Sequence, residues 1–209
     1  MRVNNLTRGL SAALAAGGLV VLAENATSAT ILTGLASTND PVPTDHGSNA
    51  PGTPNVALAW DSDWDQYSGW PNDPGDGVYQ HDNDIGSPHT IVLTPELGVD
   101  VTLTSLDLNV WTGGGDTDVD WSVTGSISGL LGSGTWSTPD ASVVTNPIGL
   151  SGTGSESLTL SLTQTSGSAS YLAVDNLAFD QTGSPIPEPA TLALLGLGGF
   201  GAAAMRRKS

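Results

Sequence analysis

The sequence predicts an all-β protein: a single antiparallel β-sandwich of jelly-roll type, with a signal peptide before it and a C-terminal hydrophobic helix after it. Three observations carry this. Short runs alternate apolar and polar residues or gather β-branched ones, the pattern of half-buried strands. Clusters of Gly, Pro, Asn and Asp punctuate those runs. No stretch of the body has the apolar period of a long amphipathic helix. Many short strands between turns close into sandwiches or jelly rolls.

The order of elements follows. Residues 1–29 read as a secretory signal peptide. Arg2 and Arg8 precede the apolar run Leu10–Ala23, and the small residues Ala26-Thr27-Ser28-Ala29 suit cleavage. Residues 30–55 are rich in Pro, Thr, Asn and Ser and read as loop or linker. The sandwich is expected over 56–182. Its strands are expected at Val56–Trp60, His89–Leu93, Val99–Trp111, the alternating Val119-Trp121-Val123 stretch, Ser142–Thr145, Ser157–Leu162 and Ser170–Phe179. Within Val99–Trp111 the apolar phase changes near Thr104-Ser105. No internal repeat of solenoid length is evident.

Residues 184–209 form the sharpest signal. Pro185, Pro187 and Pro189 keep the chain extended. Ala190–Met205 carries no charge and spans about 24 Å as a helix, short against a bilayer core of about 30 Å. Arg206-Arg207-Lys208 then hold the end on the cytoplasmic side. The motif at 187–189, the apolar segment at 190–205 and the basic end at 206–208 resemble the PEP-CTERM sorting signal of Gram-negative bacteria. The resemblance implies Pro187, Glu188, Pro189, Arg206, Arg207 and Lys208 as sorting residues. It also implies an exosortase as partner, transient residence in the inner membrane, and release to the cell surface or extracellular matrix.

Charge narrows the function further. The five basic residues all lie in the two ends: Arg2, Arg8, Arg206, Arg207 and Lys208. Of 21 acids, all but Glu24 and Glu188 lie in the body. A body without Lys or Arg does not bind nucleic acid through phosphate contacts, and it attracts divalent cations. With no cysteine, an exported domain holds itself by its core, by metal, or by both.

Candidate sites follow from residue type. Tyr171, Ala173, Asp175, Leu177 and Phe179 share a face under strict alternation, so Asp175 interrupts an apolar row and needs a compensating partner. The apolar-Asp-Asn-apolar sequence resembles the last strand of jelly-roll carbohydrate-binding modules. That resemblance implies Asp175 as a Ca²⁺ ligand; a strand Asp satisfied by backbone N–H groups is the alternative. Trp64, Tyr67 and Trp70 crowd beside acids and form the expected sugar-binding set, because aromatic faces next to carboxylates suit glycans. Asp61-Ser62-Asp63-Trp64-Asp65 starts like an EF-hand loop, but Gln66 stands where Gly is needed and Asn72 where Glu belongs. Asp116, Asp118 and Asp120 read as the wet side of a strand.

No nucleophile elbow, zinc-protease helix or phosphate-binding glycine loop is present, and no catalysis is expected. His46, His81 and His89 lack ligand spacing and read as surface or turn residues. Gly52-Thr53-Pro54-Asn55-Val56, Trp111-Thr112-Gly113-Gly114-Gly115 and Tyr171–Leu177 resemble β-rich secreted domains that precede this kind of tail. The function expected is a structural or adhesive surface protein; the alternative is a module that binds exopolysaccharide.

Overall fold

Alternating apolar residues build two antiparallel sheets that face each other across one core. The computed structural model describes residues 29–33, 38–70, 77–82, 85–112, 116–139, 142–167 and 169–183. The signal peptide expected over 1–29, except for Ala29, and the C-terminal helix expected within 184–209 lie outside these residues. Among the described residues no helix is long and apolar enough to cross a membrane.

The strands are β1 (Thr30–Leu32), β2 (Thr38–Pro41), β3 (Val56–Trp60), β4 (Trp64–Tyr67), β5 (Val78–Asp82) and β6 (Pro88–Pro95). They continue as β7 (Val99–Thr112), β8 (Thr117–Gly125), β9 (Gly129–Thr138), β10 (Val143–Ser151), β11 (Leu158–Gln164) and β12 (Ala169–Gly183). The larger sheet has the order β10-β7-β12-β5-β4-β2, with β1 also paired to β12. The smaller has the order β3-β6-β11-β8-β9. The chain passes repeatedly from one sheet to the other, so the core is filled from both sides. Leu58, Trp60, Ile91, Leu93 and Leu160 come from the smaller sheet; Trp64, Tyr79, Leu108, Val174 and Phe179 come from the larger.

Residues 30–55 are more than a linker. β1 and β2 lie in them, and the turns up to Asn55 are tied down. Ser48 Oγ accepts the Leu58 N–H at 2.7 Å, Trp60 Nε1 donates to the His46 carbonyl at 2.8 Å, and the Asn55 N–H reaches Gln181 Oε1 at 3.0 Å. Short strands bordered by Pro and Asp give no readable alternation.

The phase change expected in the long strand is real. Val101 and Leu103 face the core, then Leu106, Leu108 and Val110 do. Thr104 is skipped by both neighbours, since Ser105 and Leu103 pair with Ala178 and Phe179 on one side and with Pro147 and Leu150 on the other. β12 carries a matching irregularity between Asp175 and Ala178, where Asn176 adopts φ 47°. One extra residue on each strand restores the register; a bulge of this kind reverses side-chain phase. Leu177 and Phe179 therefore enter the core, while Tyr171 and Ala173 lie on the opposite side of the sheet. This corrects the strict alternation read from sequence: Asp175 does not sit in a row with Leu177 and Phe179.

Candidate functional site

Three places bring chemistry together: the outer face of the larger sheet, the outer face of the smaller one, and the histidine pair buried between them. The larger sheet comes first. Register puts Trp111 beside Tyr171, and puts Asn109, Ala173, Gln80 and Asp65 in a row across β7, β12, β5 and β4. Trp70, just beyond β4, folds back over this row. Its ring is 5.5 Å from Trp111, 6.4 Å from Tyr171 and 6.1 Å from Tyr67, edge-on in each case. Trp70 packs with Val78 and Ala173 as a small second core.

The expected sugar-binding set is thus redistributed. Trp64 is fully buried between the sheets, edge-on to Trp60, and has no face to offer. Trp70 is 3% exposed and acts as a brace. Tyr67 stays half-buried, and the aromatic surface passes to Trp111, 38% exposed, and to half-buried Tyr171. Sequence reasoning overlooked both as ligand residues. The signal was available: Trp111 falls on the face opposite Leu108 and Val110.

Further along that face, Asp175 pairs with Asp107 across the strands. Asn176 donates from its backbone N–H to Asp175 Oδ1 at 2.7 Å, and its Nδ2 donates to Asp107 Oδ2 at 2.8 Å and to Asp175 Oδ2 at 3.3 Å. The amide separates two carboxylates that would otherwise repel. A Ca²⁺ ion on Asp175 would have to displace those bonds.

On the outer face of the smaller sheet, a groove of about 370 Å³ is lined by Asp120, Ser122, Ser133, Thr135, Ser161 and Thr163. Thr135 Oγ1 donates to Asp120 Oδ1 at 2.6 Å. Asp116 and Asp120 are exposed and Asp118 is half-buried, in keeping with a wet strand face.

Two of the three histidines are neither surface nor turn residues, while His46 is a half-buried turn residue. His81 and His89 are buried on β5 and β6 and stack with ring centroids 3.3 Å apart. They belong to different sheets, which is why linear spacing could not connect them. His46 sits in the inner aromatic cluster, its Nε2 2.8 Å from the Tyr79 hydroxyl. Burial lowers its pKa below 6.5, against a smaller upward pull from Asp45.

The PEP-CTERM protein-sorting motif matches residues 185–208, as the tail's three-part pattern led us to expect. The motif marks an exported, membrane-processed protein and implies an exosortase as its processing enzyme. No curated protein matches the chain. Among solved structures, the CBM22-1–CBM22-2 tandem domain from Paenibacillus barcinonensis Xyn10C aligns with TM-score 0.44 at 15% identity, over 80% of this chain and 49% of that one. An arabinose-bound α-L-arabinofuranosidase, MgGH51, aligns with TM-score 0.42 at 8% identity, over 74% of this chain and 32% of that one. The K2 cleaved adhesin domain of Lys-gingipain aligns with TM-score 0.41 at 15% identity, over 73% of this chain and 99% of that one.

Proposed function

We propose that this is a surface or matrix protein whose sandwich binds a polysaccharide, without turning it over, across the outer face of the larger sheet. The observation that carries the reading is the half-open aromatic group of Trp111, Tyr171 and Tyr67, braced edge-on by Trp70. Rings of this kind give a sugar an apolar face to lie on, and nearby carboxylates and amides accept and donate hydroxyl hydrogen bonds. The body has no Lys or Arg, so the favoured glycan is neutral rather than anionic.

The test is affinity electrophoresis of the full chain in gels containing neutral polysaccharides, with calorimetry on any that retard it. Trp111→Ala with Tyr171→Ala should weaken binding at least tenfold and leave the melting temperature close to wild type. If no neutral glycan retards the protein, or the double variant binds unchanged, the structural role of a matrix component takes its place.

A further inference from the structure

We propose that Asp61, His81 and His89, completed by Asp63, form a binding site for a divalent transition-metal ion of the zinc type. One ligand atom from each of Asp61, His81 and His89 lies within 4.8 Å of the others. His81 Nε2 is 3.7 Å from Asp61 Oδ1 and 3.8 Å from Asp63 Oδ2. A tetrahedral zinc site with bonds of about 2.0–2.1 Å has edges of about 3.4 Å, so the His81–carboxylate distances are already close to that figure. Small side-chain rotations close the rest.

The surroundings orient the ligands as second partners orient metal ligands elsewhere. Asp61 Oδ2 accepts the Thr90 N–H at 2.5 Å, which turns Oδ1 toward His81. Asp63 Oδ1 accepts the Ser62 hydroxyl at 3.0 Å, which turns Oδ2 the same way. Trp64 walls the site, its ring edge-on to His81 at 5.5 Å and to His89 at 6.2 Å. The two imidazoles lie at 3.3 Å and 29°, closer than aromatic pairs prefer. One ion bound in the plane of both rings would hold their centroids about 5 Å apart, so its uptake relieves this crowding.

Ligand type sets the metal. Two imidazoles with carboxylates suit zinc and its neighbours, whereas Ca²⁺ takes oxygens. Position sets the role. β3 and β6 belong to one sheet and β4 and β5 to the other, and the Asp61–Asp63 turn is where the chain crosses between them. A metal here ties the two sheets together in a chain that has no cysteine.

The experiment uses the full chain, without a histidine tag, stripped with a chelator in mild detergent. Zinc should bind one to one with a Kd of about 1 µM or tighter. At a hundredfold excess over Kd it should raise the melting temperature by about 5–10 °C. Co²⁺ in its place should give the visible bands of a tetrahedral nitrogen-and-oxygen site. Asp61→Asn and His89→Gln should each weaken uptake at least tenfold, and Asp120→Asn, in the groove of the smaller sheet, should not. The Co²⁺ spectrum of the wild type decides the matter even if a variant fails to fold. The proposal is overturned if zinc does not bind below millimolar, if the cobalt spectrum is that of the free hexaaquo ion, if both ligand variants bind as wild type does, or if Ca²⁺ stabilises and zinc does not.

Discussion

Glu156 Oε2 accepts the Ser128 N–H at 2.9 Å, and Glu156 Oε1 accepts the Ser128 hydroxyl at 2.8 Å. The same carboxylate takes the N–H groups of Ile127 and Thr153, each at 3.0 Å. One buried acid between β10 and β11 thus clamps the turn between β8 and β9. Gly125 leaves room for it, since a Cβ there would overlap Oε2. A free Glu would swing aside, but this one is held by four hydrogen bonds. Gly125→Ala should therefore lower the melting temperature by about 3–8 °C. In a Glu156→Ala background the same substitution should cost much less, and a double-mutant cycle by thermal melts measures that coupling.

Acid should reach the fold through the same clamp. The Ser128 N–H first, then the Thr153 N–H and the Ser128 hydroxyl, pull the Glu156 pKa from 4.5 to about 2. A depressed folded value contributes stability above 4.5 that is lost as pH falls toward 2. His46 works from the same side of the scale: its folded pKa lies below 6.5, so the unfolded chain takes the proton first and stability falls once pH drops under 6.5. Lower pH also relieves repulsion among the acids, so the informative quantity is a difference. The gap in melting temperature between wild type and Glu156→Gln should be constant above pH 5 and shrink steadily between about pH 4.5 and 2.

How far the sequence carried the fold depends on residue spacing. Val119, Trp121 and Val123 alternate cleanly and become β8, facing inward as read. The phase change in β7 was legible because Leu103 and Leu106 are spaced unlike the residues around them. β9 was not legible. Its Gly132 and Gly134 look like turn residues, yet they lie in a strand under Leu150 and the Trp121 ring, which take up the space a side chain would fill. β4 hid inside an acidic stretch that resembles a metal loop, and Trp64 was misjudged with it. The histidine pair escaped because the packing of one sheet on the other, not spacing, brings His81 and His89 together. The basic, apolar and proline-rich pieces of the tail are contiguous, so no folding was needed to read them.

Asn176 tests the bulge in β12. Its φ of 47° is the left-handed region that Gly and Asn tolerate and β-branched residues do not. Asn176→Gly keeps the backbone and loses the amide between Asp107 and Asp175. Asn176→Val loses the amide and adds strain, so it should be less stable than the Gly variant by about 1–2 kcal/mol in urea melts. Equal stability of the two would mean that the left-handed turn contributes nothing to the register.

The tail makes a prediction about mass. A protein sorted by the motif at 185–208 is expected to lose its N-terminal signal peptide and to be cut near Pro187-Glu188-Pro189. The intact mass of the exported protein should therefore fall short of the full chain at both ends. Removing residues 185–209 should leave the signal-peptide cut in place and abolish membrane processing. Recovery of the uncut chain from the cytosol would contradict both steps.

The two kinds of tryptophan should separate cleanly. Trp64 is fully buried between the sheets and edge-on to Trp60, His81 and His89. Its loss leaves a cavity that a packed sandwich cannot collapse, and Trp64→Ala should cost about 3–5 kcal/mol. Trp111 is 38% exposed and rests on the outer face. Trp111→Ala gives up part of one ring's contact area and should cost about 1 kcal/mol or less. Glycan binding should follow the opposite order once folding is allowed for: lost in Trp111→Ala, which stays folded, and kept in whatever fraction of Trp64→Ala remains native. Urea melts and affinity electrophoresis on the same preparations compare the two. Binding lost in proportion to unfolding in both variants would remove Trp111 from the ligand surface.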